Sequence, residues 1–413
     1  MNTREGQVAV DLALPPHLAE LQAKVRGFAE GPMRAAAPAA EAREEYPQEF
    51  AREALRFARA LDILDLRRMI AMPGTAVPWA ADKHFATVLV VEELARGDVG
   101  LTMNLPGPQL GGSALMVVGT EAQKARWLKP FTGPEPAWGA MAMTEPGAGS
   151  DTASIRTTAV RDGDSWVLSG EKVFCTSGGL GLERSKGWVV VWAKVVNKGA
   201  SGDAVKHAAM RPFLVPAGTP GVRVTKHERK MGIRASDTVA FVMEEARIPA
   251  DHLLGAEEDD AGFKGAMQTF NVGRLNVAAI GLGIARAALD LLRELLGPVP
   301  AVHSLTAAQR ELLRMEAELQ AARLLTWRAA WLADRGLPMA AEASMAKVVA
   351  GRAAASIPQR CAALAGPLGV RARDRFERLV RDSKIVDIFE GTGQINTLIV
   401  ARRILGYSRE QLK

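Results

Sequence analysis

The chain has 413 residues, of which 48% are hydrophobic and 24% charged, and its formal net charge is +6. This length corresponds to two or three domains, and the composition excludes a disordered or collagen-like chain. Because it has only two cysteines and six scattered histidines, we expect neither a disulfide framework nor a bound metal.

The small positive excess suits an anionic ligand and does not require nucleic acid, so no nucleic-acid partner is expected. The opening residues lack the apolar core of a signal peptide. No apolar run reaches about 18 residues without a charge, so no membrane span is expected. These features predict a soluble, reduced protein of the cytoplasm.

The first third of the chain predicts helices. Apolar residues recur at spacings of three and four in residues 18–28 and 50–61, and residues 85–95 are apolar enough for a buried helix. Gly107, with the glycines that follow it, then indicates a stretch that packs tightly or faces a ligand.

From about residue 137 the pattern changes to short, β-rich segments bounded by Gly, Asp or Pro. The predicted strands span residues 164–174, 187–196, 211–217 and 238–249. Their spacing favours an antiparallel barrel or sandwich over βαβ units.

Long helices return from Gly262 to the end of the chain. The predicted helices span residues 263–296, 306–335, 339–364 and 394–405. Helices that are apolar over more than one face need partners in a bundle or at a subunit interface. The order predicts an α+β fold. Its three domains are an N-terminal helical domain at 1–137, a central β domain at 138–248 and a C-terminal helical bundle at 249–413.

The most specific motif is MAMTEPGAGSD at residues 141–151. It predicts a strand that runs into a Gly-rich turn, where Thr144, Ser150 and backbone N–H groups could bind an anion or a polar ring edge. The turn is neither a P-loop nor a GxGxxG fingerprint. On chemistry alone, a structural turn and a ligand-binding loop both remain open.

Together with several later segments, this motif resembles the acyl-CoA dehydrogenase flavoprotein family. The further segments are SGEKVFCTSGG at 169–179, MGIRASDT at 231–238, RIPADHLLG at 247–255, and residues 262–290 and 382–405. The resemblance implies a helical N-terminal domain, a central β domain and a four-helix C-terminal domain, in agreement with the predicted order. It also implies FAD as cofactor, a place in fatty acid metabolism, and oxidation of an acyl-CoA thioester to the trans-2-enoyl-CoA.

Glu390, in IVDIFEGTGQ, is the candidate catalytic base. Its apolar neighbours would raise the pKa of its carboxyl group, as removal of a proton from carbon requires. From the residues alone, a glutamate favoured by the dipole of the last helix is an alternative, with Thr392 as N-cap. By resemblance, Glu390 takes the α-proton while the β-hydrogen leaves as hydride to the flavin N5. The family's other base position corresponds to Gly273, which cannot serve.

The resemblance also assigns the ligand contacts. Cofactor contacts fall on Met141, Met143, Thr144, Gly149, Ser150, Phe174, Cys175, Thr176, Thr392 and Gln394. Substrate contacts fall on Ser150, Asn271, Arg274, Phe389 and Gly391. Phe174 stands where the family has a tryptophan, the Cys175 side chain is expected in the core, and Arg274 is alternatively a structural arginine. The floor of the acyl pocket is expected at residues 101–110.

Two departures from the family concern the ADP half of FAD. Residues 296–304 lack the family's Arg and Phe, and residues 363–369 have Ala and Pro in place of Gln and Gly. An arginine on a pyrophosphate makes a charge-assisted contact, and proline lacks an N–H donor. Three explanations remain open: a homo-oligomer that uses residues such as Arg293, Arg310 or Arg314, a hetero-oligomer whose partner supplies the contacts, or weak FAD binding.

The resemblance implies an acyl-CoA substrate, an electron-transfer flavoprotein as acceptor, and a homo-oligomer, either a dimer or a homotetramer. One alternative is a dehydrogenase of acyl groups bound to a carrier protein. Another is a non-catalytic acyl-CoA-binding subunit of a hetero-oligomer. Glu390 argues against the non-catalytic subunit, and the changed ADP half argues for it.

Overall fold

The computed structural model describes residues 13–61, 80–256, 262–298, 305–367, 369, 373–408 and 411. In chain order these residues form a helical region, a β region and a second helical region, which confirms the predicted α+β fold. The predicted domain boundaries themselves stay predictions.

The N-terminal region is helical. Its helices are α1 (Pro16–Phe28), α2 (Arg34–Arg43), α3 (Gln48–Ala60), α4 (Lys83–Gly97), α5 (Val99–Met103), α6 (Gln109–Val118) and α7 (Glu121–Leu128). Helix α1 buries Leu18, Leu21 and Val25 on one face. Their intervals of three and four residues are the pattern from which this helix is predicted. Helix α2 has no counterpart among the predicted helices, because its proline, Pro38, is typical of a helix break. A π-helical turn, Ala29–Met33, joins it to α1.

The central region is one curled, seven-stranded sheet. Its strands are β1 (Gly139–Ala142), β2 (Thr158–Asp162), β3 (Ser165–Thr176), β4 (Trp188–Val196), β5 (Met210–Pro216), β6 (Val222–His227) and β7 (Thr238–Pro249). Their order is β1-β4-β2-β3-β7-β6, and β5 also pairs with β4. Two short helices connect strands of the sheet: α8 (Gly178–Leu182) lies between β3 and β4, and α9 (Asp203–Lys206) lies between β4 and β5.

The prediction of a wholly antiparallel domain is wrong for β4, which pairs in parallel with both β1 and β2. The nine residues of β4 are enough for β1 to pair with its first half and β2 with its end, while β5 pairs antiparallel along the opposite edge. Strands β2 and β6 were not predicted, because half or more of their residues are polar.

The C-terminal region is a bundle of long helices. They are α10 (Gly262–Leu296), α11 (Ala307–Asp334), α12 (Ala340–Ala365), α13 (Arg373–Ser383) and α14 (Gly393–Leu405). Helices α10 and α12 pack closely, since a Cβ at Gly281 would lie 2.9 Å from the Ala350 carbonyl oxygen. By length and composition, Phe270–Leu296 could cross a membrane, but 83% of its most apolar window is buried inside the protein, as in a core helix.

Buried ion pairs join α4 to the neighbouring helices. Glu92 and Glu93 are both fully buried on α4. The Glu92 carboxylate lies 2.6 Å from Arg323 of α11, and the Glu93 carboxylate lies 2.8 Å from Arg26 of α1. Arg286 of α10 contacts both carboxylates. Because a buried charge must be paired, this network fixes how the N-terminal helices sit on the bundle.

Candidate active site

Glu390 lies in a tight turn between the 3-10 helix Lys384–Asp387 and α14. Its φ is 55° and that of Gly391 is 91°, so both adopt the left-handed conformation, which is rare for a residue other than glycine. Thr392 N-caps α14 by accepting a hydrogen bond from the Ile395 N–H at 3.2 Å, as predicted. Such strained backbone is common at functional sites.

The carboxyl group of Glu390 is buried, and burial raises its pKa to about 7. The positive charges of Arg274 and Lys347 act in the opposite direction. Its Oε2 atom is buried and has no hydrogen-bond partner among the described residues. A buried oxygen without a partner is rare in native proteins, and a carboxyl pKa near 7 is suited to a general base.

Gly273 of α10 lies directly against this carboxyl group. A Cβ at Gly273 would lie 2.6 Å from Glu390 Oε2. The family's two base positions therefore face the same point in this fold, and the missing side chain of Gly273 leaves the space that the Glu390 carboxyl occupies.

Arg274, the next residue of α10, is 6% exposed and donates a hydrogen bond from Nη1 to Asn271 Oδ1 at 2.6 Å. Burial lowers the pKa of its guanidinium, and the charge of Glu390 opposes that shift. Its Nε has no partner within the described part of the chain. An unpartnered donor beside Glu390 favours a ligand-binding role for Arg274 over a purely structural one.

The Gly-rich turn that follows β1 is held by a buried ion pair. Lys172 Nζ lies 2.8 Å from Glu145 Oε1 and donates a second hydrogen bond to the Met143 carbonyl at 3.0 Å. Glu145 also accepts the backbone N–H of Thr157 at 3.0 Å. Thr144 is half-buried, whereas Gly149 and Ser150 are exposed. The sequence analysis missed this pair.

We expect Lys172→Met to weaken the whole turn, because it leaves the Glu145 carboxylate buried without its partner. Breaking a buried ion pair in this way costs about 3–5 kcal/mol. The free energy of unfolding from denaturant titration should fall by that amount, and the bound flavin per chain should fall with it. Lys186→Met, at an exposed lysine of the same region, is the control and should change neither. Equal stabilities of the two variants would contradict this role.

Phe174 projects from a β-bulge. The register of β3 against β7 shifts between Lys172 and Cys175. Phe174 lies there with a φ of 57° and is 64% exposed, while Cys175 is 1% exposed. A bulge redirects a side chain, and an exposed aromatic face is suited to stack on a planar ring. The Cys175 side chain lies in the core as predicted, where burial raises its pKa, and Thr176 is half-buried.

Apolar packing links the Gly-rich turn to the segment of α10 beside Glu390. Met141, Met143 and Ala148 belong to one apolar cluster, against which Phe270 of α10 packs. Phe270 immediately precedes Asn271 and lies one helical turn before Arg274, so the segment of α10 that packs against this cluster also borders Glu390. The sequence analysis missed Phe270.

Residues of the predicted pocket floor pack against two of the apolar clusters. Met103 and Phe389 both pack against the core of the C-terminal bundle, and Leu110 joins the cluster that Phe270 contacts. The assignment of residues 101–110 to the acyl pocket stays a prediction.

The residues present fit the ring end of a flavin better than its ADP end. Gln394 is exposed in the first turn of α14. Three arginines considered for the pyrophosphate already have partners in the chain: Arg293 contacts Glu316, Arg310 the Leu305 carbonyl, and Arg314 Glu311. Residues 299–304, which hold most of the first departure, lie outside the described residues, whereas Ala363 and Pro367 of the second departure are described and exposed. The three explanations for this end remain open.

Comparisons with known proteins agree with this arrangement. Family models match three consecutive parts of the chain: the acyl-CoA dehydrogenase N-terminal domain at 15–135, the middle domain at 140–246 and the C-terminal domain at 260–405. The chain belongs to the acyl-CoA dehydrogenase family. It is therefore a flavin-dependent oxidoreductase of the CH–CH class with FAD as its cofactor.

Individual relatives support the same family. The short-chain specific acyl-CoA dehydrogenase of Bos taurus mitochondria is 40% identical over 330 residues, which cover 78% of this chain and 76% of the relative. The probable acyl-CoA dehydrogenase YngJ of Bacillus subtilis is 35% identical over 77% of this chain and 81% of its own. The butyryl-CoA dehydrogenase structure from Megasphaera elsdenii superimposes with a TM-score of 0.82 at 29% identity, covering 96% of this chain and all of that one.

Among the described residues, no group of three or more His, Cys, Asp or Glu side chains could hold a metal ion. The two cysteines are free and buried.

Proposed function

We propose that this acyl-CoA dehydrogenase oxidises short-chain acyl-CoA thioesters, with Glu390 as the catalytic base. The observation that carries the assignment is the Glu390 carboxyl, whose buried Oε2 has no hydrogen-bond partner among the described residues and lies against Gly273, near the charge of Arg274. The substrate length is supported by the mammalian relatives, 38–40% identical, whose names specify short-chain substrates.

In this proposal, ionised Glu390 removes a proton from the carbon next to the thioester carbonyl, and the electron pair of that C–H bond forms the new double bond. The backbone N–H of Glu390 makes no hydrogen bond within the described part of the chain, so it is available to the carbonyl oxygen as charge develops there. When bound, FAD supplies the acceptor for the hydride from the β-carbon. Asn271 and Arg274 orient the thioester beside the base.

The pH dependence of flavin reduction should report the ionisation of Glu390. The base acts only when ionised, and burial raises its pKa to about 7. The rate should therefore rise as the pH increases through about 7 and level off above it. Anaerobic stopped-flow absorbance between about pH 5 and pH 9 measures this profile. A midpoint near the ordinary glutamate value would show that the buried carboxyl is not the group that titrates.

The substrate class is tested by mixing the purified protein anaerobically with straight-chain and branched acyl-CoAs of graded length, and with the same acyl groups on a carrier protein. We expect short, straight-chain acyl-CoAs to bleach the flavin fastest. Faster bleaching by the carrier-bound thioester would support the carrier-protein alternative instead. A colourless protein that FAD cannot reconstitute would support the non-catalytic subunit.

We also infer a cytoplasmic homo-oligomer, dimer or tetramer, that passes electrons to an electron-transfer flavoprotein. Support for assembly comes from Ile404, Leu405 and Tyr407 at the end of α14, which are 62%, 63% and 43% exposed. Contiguous exposed apolar side chains mark surfaces that a partner covers. Sedimentation of the chain purified alone, with its FAD content, tests this. A full complement of FAD in a homo-oligomer would refute the hetero-oligomer.

A further inference from the structure

Lys347 is a buried lysine to which the sequence analysis gave no role. It lies on α12 and is 1% exposed. Its Nζ donates hydrogen bonds to the Gly391 carbonyl at 2.6 Å and to the Val386 carbonyl at 3.1 Å. These two carbonyls lie on either side of Glu390 in the chain. Burying an ammonium group is costly, so its placement on the two ends of this turn points to a function.

A second buried donor, on another helix, contacts the same turn. Asn396 of α14 is fully buried, and its Nδ2 donates to the Gly391 carbonyl at 2.8 Å and to the Thr392 carbonyl at 3.0 Å. The Gly391 carbonyl is thus held by two helices at once. A left-handed glutamate persists only where its surroundings determine the backbone, and these contacts supply that constraint.

We propose that Lys347 is a positioning residue for the base: its ammonium group holds the turn that carries Glu390 and favours the ionised form of the Glu390 carboxyl. This rests on the proposed role of Glu390. No bond to the substrate is assigned to Lys347, which acts through the backbone carbonyls and through its charge.

The charges around Lys347 agree with this role. It faces the carboxylates of Asp387 and Glu390 and the guanidinium of Arg274. Burial lowers its pKa to about 8, while the two carboxylates raise it. Lys347 is therefore predominantly protonated at neutral pH, where Glu390 titrates, and its positive charge opposes the rise in the Glu390 pKa that burial causes.

The test is Lys347→Met, which keeps the length of the side chain and removes its charge. We expect flavin reduction by a short-chain acyl-CoA at pH 7 to slow by about tenfold or more, and the midpoint of the pH–rate profile to rise by about one unit. Lys347→Arg, which keeps the charge, should keep the wild-type midpoint. Ser344→Ala, at another buried residue one turn earlier on α12, is the matched control and should leave the profile unchanged.

A slower variant with an unchanged midpoint and full FAD content would overturn the proposal, because a purely structural lysine would behave that way. If Lys347→Met does not fold, Lys347→Gln is measured in its place. Failure of both neutral variants to fold would also count against the proposal, since it would assign Lys347 to the stability of the bundle. Failure of the proposed function looks different: the wild-type protein would then not be reduced by any acyl-CoA.

Discussion

Replacing Glu390 with glutamine should slow flavin reduction by acyl-CoA by at least about 10³-fold, the upper part of the range for a single general base. Glutamine keeps the shape of the side chain but cannot accept the α-proton. The buried Oε2 of Glu390 has no partner among the described residues, so the substitution breaks no hydrogen bond of that atom. FAD content and melting temperature should therefore stay close to wild type, and stopped-flow absorbance under anaerobic conditions should show the loss.

Glu245→Gln is the matched control for this experiment. Glu245 is also a glutamate with a left-handed backbone, with a φ of 50°, but it lies exposed on β7 away from the turn. Its substitution should leave the rate unchanged. If Glu390→Gln and Glu245→Gln both reduced the flavin at the wild-type rate, Glu390 would not be the base.

Gly273→Ala should separate activity from stability. The added Cβ would lie 2.6 Å from Glu390 Oε2, which is closer than real Cβ contacts. Because Oε2 is the end of a flexible side chain, the Glu390 carboxyl should move aside while the backbone of α10 keeps its position. Alanine is favoured over glycine within a helix by about 1 kcal/mol, so the fold should persist. The displaced base should lower the rate of flavin reduction by about 10²-fold, as small misplacements of catalytic groups do.

Gly27→Ala on α1 provides the comparison for Gly273→Ala. Apart from its chain neighbours and the backbone of its own helix, no heavy atom of the described residues lies within 4 Å of the point where its added methyl group would lie. It makes the same chemical change in a helix with free space around it, and it should leave the rate at the wild-type value. A Gly273→Ala protein that keeps full activity would show that the Glu390 carboxyl does not occupy this position during the reaction.

The sequence predicts the long elements well because their periodicity is carried by many residues. The helix expected at 263–296 is α10, and the strand expected at 238–249 is β7. Short or polar elements are not predicted. Strand β2 has too few apolar residues, and α2 contains a proline at position 38. The parallel pairing of β4 depends on contacts between strands far apart in the chain, which no local pattern contains.

The residues of the candidate site also fall into two groups, those that the sequence predicts and those that only the fold identifies. Glu390 and Thr392 are identified by a contiguous motif, and the N-cap role of Thr392 also follows from its local position. Lys347 and Phe270 gain their roles only from contacts made by folding: Lys347 lies 44 residues from Gly391 in sequence. Lys347 belongs to no motif noted in the sequence, and Phe270, although it lies in the matching segment 262–290, has no role assigned there, so only the three-dimensional arrangement identifies their roles.

The most direct test of the central claim separates proton removal from flavin reduction. The holoenzyme is first reduced, so that its flavin can accept no hydride, and is then incubated with a saturated short-chain acyl-CoA in D₂O. If Glu390 removes the α-proton, the α-proton NMR signal should disappear with the wild-type protein and persist with Glu390→Gln. Equal rates of exchange with the two proteins would contradict the assignment of Glu390 as the base.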